Sequence, residues 1–192
     1  MHGKYDSHFS EHLKAVAALA GNSQIAKVLA SSAILAARCL KSGGRVFFCG
    51  NGGSAADSQH FAAELTIRLE RNRSPLAGIA LTTDTSAITA CGNDFSFDEI
   101  FARQLTALGR KGDFLVALST SGNSRNVLRA IEVARTAGID VLGLVGESGG
   151  AMSSLCDFLV KAPSARTMRV QECHTLLLHC WCDMVEEAVS GN

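Results

Sequence analysis

A hydroxyl-rich segment, Ser119-Thr120-Ser121-Gly122-Asn123-Ser124, carries side chains suited to binding an anion. We call it the hydroxyl loop. Its four hydroxyl groups can donate hydrogen bonds to phosphate oxygens, together with backbone N–H groups. It follows an apolar run and precedes a helical pattern, so the free N–H groups of a helix start would face the same anion. We therefore predict that the hydroxyl loop binds phosphate.

A second loop, Gly50-Asn51-Gly52-Gly53-Ser54, also lies between an apolar run and a helical pattern. We call it the glycine loop, because its three glycines allow the backbone to approach an anion closely. Neither loop has the Gly-Lys-Ser/Thr end of a P-loop. Ala55 also stands where a dinucleotide-binding loop needs its third glycine. The two loops therefore predict a phosphate site without a nucleotide cofactor.

Two pairs of polar side chains could transfer protons. His60 and Glu64 are four residues apart in a helical pattern, so they share a face. Gln171 and His179 are eight apart and interrupt an apolar stretch that we expect to be buried, and they lie about 80° apart around the axis. His174, about 140° from His179, should point elsewhere. A carboxylate and an imidazole suffice to move a carbonyl between neighbouring carbons.

Taken singly, these side chains also have ordinary interpretations. Glu64 could be a solvated helix glutamate, and His179 could be a core histidine with one hydrogen bond. The residue types alone leave both interpretations open.

The surrounding patterns alternate between helix and strand and must position these residues at one edge of a sheet. Strands joined by helical crossovers pair in parallel, and unbroken apolar runs are typical of buried parallel strands. We predict one domain, 1–192, with N-terminal helices in 1–42 and a doubly wound α/β core in 43–192. The core has a mainly parallel five-stranded sheet with helices on both faces, and ligands of such sheets bind beyond the carboxyl ends of the strands. Helices are predicted at 8–20, 24–41, 55–69, 97–108, 124–137 and 168–189, and strands at 45–49, 77–81, 113–118, 140–145 and 157–160.

The composition is that of a globular protein, with 47% hydrophobic and 19% charged residues in a chain of 192. Lys plus Arg and Asp plus Glu are 18 each, which argues against a nucleic acid or membrane-surface partner. The seven cysteines lie mostly in apolar runs without a C-x-x-C pair, so we expect reduced, buried thiols. The N-terminus lacks an apolar signal core, and no apolar run reaches the roughly 18 residues of a membrane span. We expect a cytoplasmic protein.

Five short segments, in order and spacing, resemble the bacterial phosphoheptose isomerase family of SIS (sugar isomerase) domains. The resemblance covers nearly the whole chain. It implies an aldose–ketose isomerase that converts sedoheptulose 7-phosphate to D-glycero-D-manno-heptose 7-phosphate, the first step toward the heptose of lipopolysaccharide core. It also implies a cytoplasmic homotetramer with sites between subunits. The segments are the glycine loop, Ala80-Leu81-Thr82-Thr83-Asp84, Gly92-Asn93-Asp94, the hydroxyl loop and Val170-Gln171-Glu172.

The resemblance also implies roles for particular residues. Glu64 and His179 match the catalytic pair. His60, Glu64, Gln171 and His179 match positions that hold zinc, one ion per subunit, in some members. A base whose lone pairs bind zinc cannot freely accept a proton. Zinc would therefore be structural, would polarise substrate oxygens, or would be absent. The implied substrate-binding residues are Asn51, Gly52, Gly53, Ser54, Glu64, Asn93, Asp94, Ser119, Thr120, Ser121, Ser124 and Gln171.

One loop departs from the family pattern. Many members have an aspartate before the glutamine motif, whereas residues 164–169 contain no acidic residue here. Arg166 and Arg169 in that loop would instead favour a phosphate or an acidic neighbour. Two alternatives to an enzyme are a non-catalytic SIS protein of the type that binds a replication initiator and a sugar-phosphate sensor. The presence of both Glu64 and His179 favours the enzyme.

Overall fold

Five parallel strands form one sheet in the order β2-β1-β3-β4-β5 in the computed structural model, which describes residues 2–191. The strands are β1 (Val46–Cys49), β2 (Gly78–Ala80), β3 (Phe114–Ser119), β4 (Asp140–Val145) and β5 (Phe158–Lys161). The helices are α1 (His2–Ala20), α2 (Ser23–Lys41), α3 (Gly53–Thr66), α4 (Thr85–Asp94), α5 (Ile100–Leu108), α6 (Arg125–Ala137) and α7 (Thr167–Ser190). Short 3-10 helices occupy Phe97–Glu99 and Ala151–Ser154.

The strand order places a switch point between β1 and β3. From β1 the chain moves outward to β2, then returns to pair β3 with the other side of β1. Such switch points open a crevice at the carboxyl ends of the strands. The predicted doubly wound, parallel five-stranded sheet is confirmed.

Each face of the sheet carries its own apolar core because successive strand residues point in opposite directions. Phe48 and Phe114 pack with Trp181 of α7 in the cluster beneath α2, α3 and α7. Phe47 and Leu115 pack on the opposite face, beneath α5 and α6. Helices α3 and α6, which follow the two candidate loops, thus lie on opposite faces.

Helix α4 is the element that the sequence patterns did not predict. Its ten residues bury only Cys91, so the apolar period that marks a helix is missing. Its N-terminus is set by Asp84, whose side chain accepts a 2.9 Å hydrogen bond from the Ala87 N–H. Other predicted elements have different bounds: α1 starts at His2, α3 ends at Thr66, and the helix predicted at 97–108 begins with a 3-10 turn.

Five of the seven cysteines are buried, and all seven are free thiols. Cys180 is exposed whereas Cys182 is buried, so the two lie on different faces of α7. Within residues 2–191, α2 has a length and an apolar composition that could cross a membrane. Seven of its residues are buried against the rest of the protein, which is the property of a core helix.

Candidate active site

The glycine loop and the hydroxyl loop lie side by side at the switch point, because they follow the paired strands β1 and β3. Asn51 and Asn126 join them through two reciprocal amide hydrogen bonds of 2.8 Å each. Asn126 is 2% exposed and also accepts the Val127 N–H. The Asn51 amide is therefore engaged with Asn126, which leaves the backbone of the glycine loop to face a ligand.

The hydroxyl groups of the hydroxyl loop converge. Ser119 Oγ lies 2.9 Å from Ser124 Oγ and 3.5 Å from Ser121 Oγ. Ser121 Oγ also accepts the Asn123 N–H at 3.1 Å. Helix α6 begins directly after Ser124, so the N–H groups of its first turn lie beside these hydroxyls. Together, these hydroxyl and N–H groups supply the hydrogen-bond donors that a phosphate requires.

Gly122 holds the hydroxyl loop in shape. Its φ is +68°, and a Cβ there would lie 2.1 Å from the Gly149 carbonyl oxygen. Only glycine fits this position without moving the backbone. The loop is thus braced by the segment that follows β4.

Helix α3 and the segment that follows it contact α7 through four groups of contacts, which we call the polar ladder. The contacts follow the same order along both elements, so α3 and α7 run parallel. On α7 successive contacts are one to two turns apart and lie on one face, and the first three groups lie on one face of α3. The four rungs pair Gly53 with Gln171, Asp57 with Thr175, His60 and Glu64 with His179, and residues 69–73 with Glu186.

The first rung lies beside the glycine loop. A Cβ on Gly53 would come within 2.6 Å of Gln171 Nε2 and 2.9 Å of Gln171 Oε1, so the side-chain amide lies directly on the glycine backbone. His60 is seven residues, or about 10 Å, further along α3. The Gln171 amide therefore lies against Gly53, about two turns of α3 before His60.

The third rung brings together an acid, a base and a second imidazole. His60 Nε2 lies 3.1 Å from His179 Nε2 and 3.5 Å from Glu64 Oε1. The Phe61 ring packs against both imidazoles, at 4.7 and 4.9 Å between centroids. His179 and Gln171 are half-buried rather than buried, because they lie at the rim between the two helices.

Donor atoms of His60, Glu64 and His179 all lie within 4.8 Å of one another. Two ligands of one tetrahedral zinc ion are roughly 3.3 Å apart, given Zn–N bonds of about 2.0–2.1 Å. The imidazole separation of 3.1 Å is close to that spacing. Two imidazoles and one carboxylate are also a donor set found in catalytic zinc sites that keep a fourth position open. These residues therefore fit a zinc ion.

Asp57, on the second rung, was missed by the sequence reasoning. It accepts a 3.0 Å hydrogen bond from Thr175 Oγ1. Burial raises the pKa of Asp57, against the Thr175 hydrogen bond and the charges of His60 and His179, which lower it. Its spacing from His60 and Glu64, at i, i+3 and i+7, was a signal in the sequence that all three share a face.

His174 points away from the third rung, as expected. It is fully buried, and its Nε2 lies 3.2 Å from the Val145 carbonyl oxygen at the end of β4. Burial lowers the pKa of His174 to about 4, although the contact with Val145 raises it. This histidine joins α7 to the sheet and does not face the polar ladder.

The remaining candidate residues occupy several places. Gly52 is exposed and Ser54 is buried at the start of α3, whereas Thr120 is half-buried in the hydroxyl loop. Asn93 and Asp94 lie exposed at the end of α4 and hydrogen-bond each other at 2.8 Å. Among residues 2–191, no hydrogen bond joins Asn93 or Asp94 to either loop or to the polar ladder.

Both arginines of the loop at 164–169 have acidic neighbours. Arg166 pairs with Glu11 of α1. Arg169 pairs with Glu172 at 2.6 Å and donates to the His8 carbonyl oxygen at 2.7 Å. These contacts connect the start of α7 with α1 and correspond to the acidic-neighbour alternative that the sequence left open.

Both the sequence and the fold are similar to those of known proteins. A model of the SIS domain matches residues 8–146. The chain is 54% identical over 164 residues to a phosphoheptose isomerase of Rhodospirillum rubrum, which covers 85% of this chain and 87% of that protein. A phosphoheptose isomerase structure from Neisseria gonorrhoeae has a TM-score of 0.88 at 43% identity, covering 96% and 98% of the two chains. One from Francisella tularensis has a TM-score of 0.92 at 38% identity, covering 96% and 97%.

Proposed function

The chain belongs to the phosphoheptose isomerase family of SIS-domain proteins, and from this we propose that it converts sedoheptulose 7-phosphate to D-glycero-D-manno-heptose 7-phosphate. It is an aldose–ketose isomerase. The observation that carries the proposal is the third rung, where the Glu64 carboxylate and the His179 imidazole are brought together through His60, at 3.5 and 3.1 Å. This is the acid–base pair that an isomerisation needs.

The proposed reaction moves two protons. A base on the third rung removes a proton from C1 of the ketose while an acid protonates the carbonyl oxygen on C2, which gives an enediol. The proton then returns to C2 as the hydroxyl proton on C1 leaves, which gives the aldose. Glu64 and His179 supply one group each, and either assignment of acid and base balances the protons.

The hydroxyl loop is the proposed phosphate site. His60 and Glu64 lie about 10–16 Å along α3 from Gly53 at the edge of the glycine loop. A linear heptose 7-phosphate carries its reacting carbonyl and its phosphate at opposite ends, which suits a site with two separated ends. We also propose substrate contacts from the glycine loop, Gln171, Asn93 and Asp94.

We propose zinc as a cofactor held by His60, Glu64 and His179, with Gln171 as a further candidate ligand. Bound zinc would polarise the substrate oxygens. If the ion were held by one oxygen of Glu64, the other carboxylate oxygen would stay free to accept a proton. Elemental analysis of protein prepared in metal-free buffer, with activity measured before and after chelation, tests this proposal. Full activity in a metal-free sample would contradict a catalytic role.

We propose a homotetramer in which a neighbouring subunit closes the site. In the single chain the His60 side chain is 45% exposed, and Asn93 and Asp94 lie apart from the ladder. Helix α1 also exposes a stripe of large apolar residues, Tyr5, Phe9 and Leu13. Light scattering should give about four times the mass of the chain, and Phe9→Lys should lower it if the stripe is an interface.

We propose that the reaction stands at the first step toward the heptose of lipopolysaccharide core and takes place in the cytoplasm. The non-catalytic alternative is not favoured. Curated relatives near 50% identity over most of the chain are named phosphoheptose isomerases, and this chain has both Glu64 and His179.

NMR of the purified protein mixed with sedoheptulose 7-phosphate tests the function directly. We expect new aldose signals that grow with enzyme concentration. A binding protein would instead shift or broaden the ketose signals without producing an aldose. The absence of aldose signals both with and without added zinc would contradict the proposed activity.

A further inference from the structure

The polar ladder ends in a buried ion pair below the proposed acid–base rung. Glu186 follows His179 by seven residues, two turns along the same face of α7. The Glu186 side chain is fully buried, and the side chain of its partner Arg73 is 6% exposed. Their closest atoms, Arg73 Nη2 and Glu186 Oε1, are 2.9 Å apart.

Glu186 binds the chain segment that follows α3. Its two carboxylate oxygens accept the N–H groups of Leu69, Glu70 and Arg71 at 2.9–3.0 Å. Burial raises the pKa of Glu186, but these backbone hydrogen bonds and the charge of Arg73 outweigh it, so the pKa is lowered. The carboxylate is therefore held in its charged form while it fixes this segment against α7.

Arg73 connects the same ion pair to the end of α3. Its guanidinium donates to the Leu65 carbonyl oxygen at 2.8 Å and to the Glu64 carbonyl oxygen at 2.9 Å. Helix α3 ends at Thr66, so these are carbonyls of its last turn, which lack partners within the helix. One side chain thus joins the backbone of Glu64 to the helix that carries His179.

Stability alone is a poor explanation of this arrangement. Burying two charges costs desolvation energy, and a well-packed apolar pair of similar volume is often at least as stable. The Arg73 Nε atom is also buried without a hydrogen-bond partner within residues 2–191. What an apolar pair would lack is direction, because hydrogen bonds between fixed atoms restrict how far α3 can slide along α7.

We propose that Arg73 and Glu186 are positioning residues of the isomerase site. They set the register of α3 against α7 and thereby keep His60 and Glu64 beside His179. The inference rests on the proposed function for its catalytic consequence. The placement of the three side chains can be measured without turnover.

Asp113 offers a matched control. It is 4% exposed, and its carboxylate accepts the N–H groups of Arg45 and Arg110 at 2.8 Å each. It lies directly before β3, at the end of the sheet opposite the candidate loops. Asp113→Asn and Glu186→Gln therefore make the same chemical change to a buried carboxylate that binds backbone N–H groups.

The test compares Glu186→Gln, the milder Arg73→Lys and the control Asp113→Asn, all well below their Tm values. Imidazole signals of His60 and His179, assigned with single His→Gln variants, report the third rung directly by NMR. We expect them to shift in Glu186→Gln and Arg73→Lys but not in Asp113→Asn. Co²⁺ serves as a probe of the proposed zinc site. Its affinity should fall by roughly 10–100-fold in Glu186→Gln and Arg73→Lys only.

Turnover of sedoheptulose 7-phosphate gives the last readout. We expect kcat to fall by about 10-fold or more in Glu186→Gln with KM changed by less than about 3-fold, because the phosphate site lies at the other end of the ladder. Lower Tm with unchanged imidazole signals and Co²⁺ affinity would show a structural role only and overturn the proposal. Wild-type protein without turnover would contradict the proposed function, whereas the imidazole signals would still test the positioning.

Discussion

The hydroxyl loop draws its chemical groups from six consecutive residues, whereas the third rung of the polar ladder joins His60 to His179, 119 positions apart. The hydroxyl groups of the loop contact one another within these six residues, although the segment after β4 braces the loop at Gly122. The third rung exists only if two helices pack in the correct register. Phosphate binding should therefore tolerate changes in helix packing that proton transfer does not.

The largest expected effect separates the two regions by chemistry. Glu64→Gln keeps the shape of the third rung but removes a proton acceptor, so kcat should fall by roughly 10²–10⁴-fold. KM should stay near wild type because the hydroxyl loop is unchanged. Tm should also stay near wild type because the substitution keeps the shape of the third rung. Steady-state kinetics and thermal unfolding measure all three. Turnover like that of the wild type would contradict the assignment of Glu64.

Lowering the pH should destabilise the protein through His174, which joins α7 to the sheet. The pKa of His174 is lowered to about 4 in the folded protein, against about 6.5 for an unperturbed histidine. The unfolded chain therefore binds the extra proton first, and stability present above pH 6.5 is lost as the pH falls toward 4. From pH 7 to pH 5 the unfolding free energy should fall by about 2 kcal/mol from this group.

Urea unfolding at both pH values, in the wild type and in His174→Gln, measures this contribution. The variant should be less stable at pH 7 but should lose less stability on acidification. An equal loss in both proteins would mean that His174 does not cause it.

A third change acts on the hydroxyl loop alone. Ser121→Ala removes one phosphate donor, and a hydrogen bond to a charged group is worth about 1.5–3 kcal/mol, so KM should rise by about 10-fold or more. The value of kcat should change little. Ser10→Ala, an exposed hydroxyl on α1, is the control. An unchanged KM in Ser121→Ala would place the phosphate elsewhere.

The smallest expected effect lies at the contact between the glycine loop and the first turn of α6. Asn51→Ala breaks the reciprocal amide pair with Asn126, which joins the loops but touches neither the hydroxyls nor the third rung. Loss of these hydrogen bonds should cost about 0.5–1.5 kcal/mol, which corresponds to roughly a 2–10-fold change in a kinetic constant. We expect kcat and KM both to worsen within that range. If only kcat or only KM changes, Asn51 supports either the third rung or the hydroxyl loop alone.

The parts of the molecule that could be predicted are those with local signals. Strand β4 was predicted at its observed bounds, since an apolar run flanked by turn residues marks a buried strand. The hydroxyl loop could be recognised because its hydroxyl-bearing residues lie within six consecutive positions of the sequence. Helix α4 was missed because it buries only Cys91, so its sequence lacks the regular apolar face that marks a helix.

The candidate site itself was only partly predictable. The sequence places His60 and Glu64 on one face, but nothing in it says that α7 lies alongside with His179 at the same height. Gln171 illustrates this limit, because its contact with Gly53 depends on the register of the two helices. Asp57 and Glu186 were not recognised, since a lone carboxylate in a helix usually faces solvent.

The third rung of the polar ladder and its fourth rung differ in burial, and this difference has an evolutionary consequence. His60, Glu64 and His179 lie at the rim, whereas the fourth rung with Glu186 and Arg73 is deeply buried. After a gene duplication, a copy could lose Glu64 or His179 with little cost in stability. It would keep its fold and the proposed phosphate site, and could be recruited to bind a sugar phosphate without changing it.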